Sequence, residues 1–240
     1  MSGSTDLWET HADWWQEGFT EGHDPEYTEQ ILPMAVAQLE GCRRILDVGT
    51  GDGQIARLVD AVGIDPTEAQ IRVARDRGGV YARAGAARLP FADESFDGVV
   101  ACLVFEHITD YAEAIAEIAR VLEPGGQFNF FLNHPLLQTP GSGWIDDQIL
   151  EPPEQYWRIG PYLIEDARDE EVEKGIFIPF IHRPLSLYVN ALADCGLLVT
   201  RMDEPAPPPG FLARAPEYPD AAAIPRLLHL RCEKAERSGR

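Results

Sequence analysis

The 240-residue chain is 45% hydrophobic and 25% charged, the composition of a folded globular protein, and its length suits one α/β domain with decorations. The formal net charge of −20 argues against nucleic acid and membrane surfaces as partners, because Arg231, Lys234, Arg237 and Arg240 are diluted by Glu233 and Glu236 and form no basic patch. The four cysteines show no metal-type spacing; with no leader-like N-terminus and no apolar run near the roughly 20 residues of a membrane span, a soluble cytoplasmic protein is expected.

Taken in order, residues 1–40 predict helices. Trp8, Trp14, Trp15 and Phe19 recur at helical spacing, and Asp24-Pro25 opens a helix running to about Leu39. The aromatics either pack these helices onto a sheet or form a lid over a ligand, with Trp15 and Tyr27 then facing the substrate. From Arg43 strands and helices alternate: strands at 44–48, 61–65, 79–83, 97–104 and 127–133, helices at about 53–60, 66–77 and 111–122. This rhythm predicts a parallel sheet with ligands at the carboxyl ends of its strands. Regularity breaks over 134–184, where His134-Pro135, Pro152-Pro153 and His182-Arg183-Pro184 interrupt the pattern. So long an irregular stretch beginning at a strand end is expected to be a substrate cap, with Trp144, Tyr156, Trp157 and Tyr162 offering aromatic faces. A helix from Leu185 to Cys195 stops at Gly196. Strands near 197–202 and 226–232 follow, separated by a stiff proline-rich segment from Pro205 to Pro225.

The chemistry concentrates in Ile45-Leu46-Asp47-Val48-Gly49-Thr50-Gly51-Asp52-Gly53, followed by Ile64-Asp65. A hydrophobic strand delivers the backbone to a glycine-rich turn, and the next strand ends in an acid placed to accept from a ribose diol. A dinucleotide fingerprint would want glycine where Gln54 stands, and a pyrophosphate would be repelled by Asp47 and Asp52. S-adenosylmethionine carries a sulfonium and an α-ammonium, which acids attract, so the charges favour the methyl donor over NAD.

The run Asp47–Gly53 resembles motif I of the class I S-adenosylmethionine-dependent methyltransferases, and Asp65 resembles their ribose-binding acid. Arg88-Leu89-Pro90-Phe91-Ala92-Asp93-Glu94-Ser95-Phe96-Asp97 is similar to the segment leading into their fourth strand. Glu117–Gly126 is similar to the helix and turn before their fifth. The resemblance, to the type 11 group, covers about residues 42–200. It implies a Rossmann-like, doubly wound α/β sheet, mostly parallel and seven-stranded with one antiparallel strand, plus N-terminal helices and a cap. One methyltransferase domain would span 1–240: a helical lid (1–40), a cofactor-binding core (42–133), the substrate cap (134–184), and a C-terminal helix and strands (185–240).

On that resemblance, Gly49 and Gly51 let the methionine end of the cofactor approach, Asp47 accepts from its ammonium, Asp65 takes the ribose hydroxyls and Pro66 packs on adenine. Asp65 could instead cap the following helix, but its strand-end position and the resemblance favour the ribose. The family's adenine-binding Asp is replaced by Gly85, leaving adenine to backbone near Ala86. Leu103 would meet the methionine amine through its backbone. The acceptor is expected to be a small molecule methylated at a hydroxyl oxygen (a sugar, phenol or other secondary metabolite), with His134 or His107 as general base. His182 is a third candidate, at the substrate, while Arg183 is expected to anchor the cap on Asp146 or Asp147. Those two acids with His134 could hold Mg²⁺, but adjacent acids more often form a solvated turn, so no metal is assigned. Two other readings stand behind this one: a non-catalytic module that binds nucleoside or protein, and a nicotinamide oxidoreductase. Oligomeric state is not legible.

Overall fold

The computed structural model describes residues 4–214 and 216–236. Helices α1 (Ser4–Thr10) and α2 (Ala12–Phe19) precede a π-helical turn, Tyr27–Ile31, that runs into α3 (Leu32–Gln38). The helix opened by Asp24-Pro25 therefore forms, with one widened turn inside it, and such turns concentrate at functional sites. The alternating core follows as β1 (Ile45–Val48), α4 (Gln54–Val59), β2 (Val62–Asp65), α5 (Glu68–Asp76), β3 (Val80–Arg83), β4 (Phe96–Cys102), α6 (Tyr111–Val121) and β5 (Leu122–Asn133).

Period-two alternation explains why both faces of this sheet are covered. On β5, Phe128 and Phe130 join Ile115, Ile118, Tyr188 and Leu192 on one side of the sheet. Phe131 points the other way, into a second cluster with Ile31, Ala35, Ile55 and Ile71. Helices α6 and α7 (Leu185–Asp194) thus cover one face, while α3, α4 and α5 cover the other.

Between β5 and α7 the structure departs from the irregular cap expected above. Residues 143–182 form two antiparallel hairpins, β6 (Gly143–Asp147) with β7 (Glu154–Arg158), and β8 (Asp166–Glu173) with β9 (Ile176–His182). The chain closes with β10 (Leu197–Asp203) and β11 (Leu227–Lys234).

Among the described residues the main sheet has seven strands in the order β10-β11-β5-β4-β1-β2-β3. β11 is antiparallel to both its neighbours and every other pairing is parallel. The seven-stranded, one-strand-reversed α/β sheet is therefore present. β1 lies between β2 and β4. The chain winds in opposite directions from that point, and a crevice opens at the carboxyl ends of β1 and β4.

Candidate functional site

The turn after β1 is built by backbone geometry that side chains resist. Gly49, Gly51 and Gly53 have φ of +73°, +55° and +83°. A Cβ on Gly49 would also lie 2.3 Å from a methyl of Val104. Four amides of this turn are spent inside the protein. Gly49 N–H and Thr50 N–H both donate to Ile64 O (2.8 Å each), Gly51 N–H to Asp65 Oδ2 (3.1 Å) and Gly53 N–H to Thr50 O (2.9 Å). A diphosphate would find none of these four N–H groups open.

Two buried carboxylates brace the turn. Asp47 Oδ2 accepts from Thr50 Oγ1 (2.6 Å) and Ala56 N (3.2 Å). Burial pushes its pKa up to about 7 against those hydrogen bonds, with the charges of Asp65 and Asp52 adding to the rise. Asp65 accepts from Thr67 N–H through Oδ1 (2.8 Å) as well as from Gly51, and burial raises its pKa too. Holding the start of the next helical segment and bordering the crevice are thus compatible roles, since each carboxylate oxygen has a second lone pair.

A cleft of about 330 Å³ opens over this turn, a size suited to a small organic ligand. Asp47, Gly49, Gly51, Asp65, Pro66, Ala86 and Leu103 all line it. Leu103, just beyond β4, is held at φ +52°, a strained backbone state that L-residues rarely keep without a local reason. No lysine or arginine is among the described lining residues, whereas Asp52 and Asp110 join Asp47 and Asp65 there. The far wall is aromatic: Trp8, Trp15, Tyr27 and His107. Trp8 meets His107 edge-on at 4.9 Å, and Trp15 stacks on Phe19 at 4.7 Å. Helix α1 is fastened across this side by Glu9, whose carboxylate accepts from Glu68 N–H (2.8 Å) and Ala69 N–H (3.1 Å) at the start of α5.

His107 ends a 3₁₀ turn, Phe105–His107, that follows β4. Its Nδ1 lies 2.6 Å from Pro179 O on β9, and Phe180 packs on its ring at 4.8 Å. A carbonyl can only accept, so Nδ1 carries the proton and the basic lone pair sits on Nε2. Burial pulls the His107 pKa down to about 4, which keeps the ring neutral at physiological pH. The turn is held by two buried side chains. Glu106 Oε1 accepts from Asn133 N (2.8 Å) and Asn133 Nδ2 (2.9 Å) at the end of β5. Arg183 donates to the carbonyls of Phe105 (3.0 Å), Ile108 (2.8 Å) and Thr109 (3.1 Å).

Residues 46–130 match the family profile described as a methyltransferase domain. A demethylmenaquinone methyltransferase from Roseiflexus sp. is 38% identical over 173 residues, which cover 62% of this chain and 69% of that protein. The chain belongs to the S-adenosylmethionine-dependent methyltransferases. The O-methyltransferase cnsE of Penicillium expansum is 32% identical over 160 residues, 57% of this methyltransferase and 58% of its own length. Among solved structures, an S-adenosylmethionine dependent methyltransferase from Mesorhizobium loti superposes with a TM-score of 0.71 at 27% identity, over 84% of this chain and 96% of the other.

Of the residues singled out in the methyltransferase sequence, the glycine turn, both carboxylates, Pro66, Ala86, Leu103, Trp15, Tyr27 and His107 meet in one cleft. Three others are placed elsewhere. His134 does not line it: Nε2 lies 2.7 Å from Glu204 and Nδ1 accepts from Leu136 N–H (3.2 Å), so both ring nitrogens are engaged at the β5 rim. Trp144 stacks on Tyr218 at 5.0 Å and meets Trp157 edge-on at 5.6 Å, also outside the lining. His182 Nε2 is 2.8 Å from Tyr162 O, holding the hairpin base.

Arg183 corrects an expectation: it reaches the loop carbonyls, and its acidic neighbour is Glu165 at 3.7 Å rather than Asp146 or Asp147. Asp146 instead accepts from Gln155 and Asp147 from Ile149 N–H, and no metal-holding group of three or more His, Cys, Asp or Glu occurs among the described residues. Trp8, which the helical spacing marks only as one of the lid aromatics, also lines the cleft, and it comes from α1 whereas Trp15 comes from α2. No helix of the described residues is long and apolar enough to cross a membrane.

Proposed function

We propose that the cleft at the head of β1 and β4 takes S-adenosylmethionine and serves methyl transfer to a hydroxyl oxygen on an uncharged, ring-bearing small molecule. One observation carries this reading: acids and no lysine or arginine line the cleft among the described residues, Arg57 and Arg77 being turned onto Asp52 from outside that lining, and the amides of Gly49, Thr50, Gly51 and Gly53 are spent, while aromatic side chains close the opposite wall. Such a site suits a cationic nucleoside and an apolar ring, and it suits a diphosphate poorly. The relatives named above as demethylmenaquinone methyltransferase and O-methyltransferase support a small-molecule acceptor. The whole chain then acts as one domain, with the N-terminal helices as lid and the β8–β9 hairpin as the part of the cap that reaches the cleft.

The residue roles follow from position. Asp47 receives the ammonium group, directly or through water, and the bare backbone of Gly49 and Gly51 leaves room for the amino-acid chain. Asp65 accepts from the ribose hydroxyls with the lone pairs that Gly51 and Thr67 leave. Pro66 and Ala86 flank the adenine, and Leu103 presents its backbone to the methionine end. When bound, the cofactor supplies an activated methyl group on a sulfonium. Most of what remains for the protein is to align the acceptor oxygen and exclude water. Tyr27 and Trp8 bound the acceptor's ring. His107, neutral and with its lone pair on Nε2, takes the hydroxyl proton as the new carbon–oxygen bond forms. We assign the base to His107 rather than His134 because His107 borders the cleft and His134 does not.

Labelled methyl transfer onto a panel of phenols, hydroquinones, sugars and their phosphorylated or carboxylated counterparts tests the reading. Label should appear on neutral hydroxylated rings. Transfer confined to the anionic members would overturn it.

A further inference from the structure

The cofactor assigned to this cleft carries one anionic group, the α-carboxylate of its methionine moiety, and a buried carboxylate demands donors. The usual sources are missing. No guanidinium or ammonium lines the cleft among the described residues. The amides of Gly49, Thr50, Gly51 and Gly53 are committed to Ile64, Asp65 and Thr50.

A side-chain donor beside the glycine turn is uncommitted. Trp15 is a lining residue whose indole Nε1 lies 3.7 Å from where a Cβ would stand on Gly51, and it makes no hydrogen bond among the described residues. Its ring cannot swing aside. Phe19 stacks on it at 4.7 Å and 11°, while Trp8 and Tyr27 meet it edge-on at 5.8 Å each. Of the other lining donors, the amide nitrogen of Gln70 belongs to α5 beyond Asp65, on the adenosine side, and the Trp8 indole packs edge-on against His107 beyond β4.

We propose that the Trp15 indole N–H is the donor that holds the cofactor's α-carboxylate, so that a neutral group on the N-terminal lid replaces a cation in the core. An indole N–H donates and never accepts, and a ring fixed by three others has little orientational freedom left to lose on binding. The proposal rests on the assignment of S-adenosylmethionine to this cleft. It adds a consequence: the lid reads the amino-acid end of the ligand, and ligand binding helps keep α2 in place.

The test is titration calorimetry on the full chain with S-adenosylmethionine and with its decarboxylated form, which keeps the sulfonium and the amine. Wild type should prefer the carboxylated ligand by about tenfold, the weight of one hydrogen bond to a charged group. Trp15→Phe should weaken that ligand by about tenfold and change the decarboxylated one by less than about twofold. Equal weakening of both would assign Trp15 to packing and overturn the proposal, as would a wild type indifferent to the carboxylate. Should Trp15→Phe fold poorly, the wild-type ¹H–¹⁵N spectrum decides. One indole resonance must move downfield with S-adenosylmethionine and stay put with the decarboxylated form; no such difference overturns the proposal. Failure of wild type to bind either ligand would remove the cofactor assignment itself, an outcome distinct from loss of the preference alone.

Discussion

Replacing Asp47 by Asn should make this methyltransferase more stable and a poorer binder at the same time. Both protein donors to Asp47, Thr50 Oγ1 and Ala56 N–H, fall on Oδ2, so an asparagine oxygen placed there keeps both. What changes is the charge. The folded carboxyl titrates at about 7 and an unfolded one near 3.8. Between those values the native state holds a proton that the unfolded chain has lost, so stability falls as pH rises through the window and levels off above it. A gap of roughly three units corresponds to an upper figure of about 4 kcal/mol. Denaturant unfolding of wild type and Asp47→Asn should give similar stabilities at about pH 3, with the mutant ahead by about 1–2 kcal/mol at about pH 5 and by about 2–4 kcal/mol at about pH 8. The amide then offers a donor where the cofactor's ammonium needs an acceptor. Calorimetry should show affinity for S-adenosylmethionine lowered at least tenfold, the worth of a charge-assisted hydrogen bond. A mutant less stable than wild type at the higher pH, or one that binds as tightly, would refute the reasoning.

Other outcomes follow from the same geometry. Arg183→Lys cannot reproduce the planar fork that reaches Phe105, Ile108 and Thr109, so unfolding free energy should drop by about 2–4 kcal/mol, read by thermal melts; a loss under about 0.5 kcal/mol would deny the clamp. His107→Gln should lower kcat about a hundredfold or more with cofactor affinity kept within about twofold. Because burial holds the His107 pKa at about 4, the wild-type rate limb due to this group should fall only as pH drops toward that value; a limb near 6.5 would point to another base. Dialysis against EDTA should leave turnover unchanged, since no metal-holding cluster occurs among the described residues; activity lost and then restored by Mg²⁺ would contradict this.

The glycine turn and the acid that follows it were legible because their signals are local. Strand, glycine turn, helix and acid follow within 21 residues from Ile45 to Asp65, and each residue's placement depends mainly on its immediate neighbours. The cap was not legible for the opposite reason. β8 reads Asp-Ala-Arg-Asp-Glu-Glu-Val-Glu, a solvated strand without an apolar period, and only its pairing with the apolar β9 makes it a strand at all. His134 was placed at the right rim, but its direction is decided by Glu204, 70 residues away on the segment that follows β10. Arg183 follows the same logic. Its partners are main-chain carbonyls, which leave no mark in a sequence.

The ring of His107 is gripped between two pieces of chain that meet only in the folded protein, Trp8 from the amino-terminal side and Phe180 from the distal hairpin. With either piece swung out, the imidazole loses one of the walls that hold its orientation and keep it dry. On the role proposed for His107, proton removal would be tied to closure on both sides, a safeguard against spending an expensive donor on a stray water molecule. Rapid-mixing measurements on this enzyme should accordingly show closure preceding chemistry, and mutations that loosen either flap should uncouple donor consumption from product.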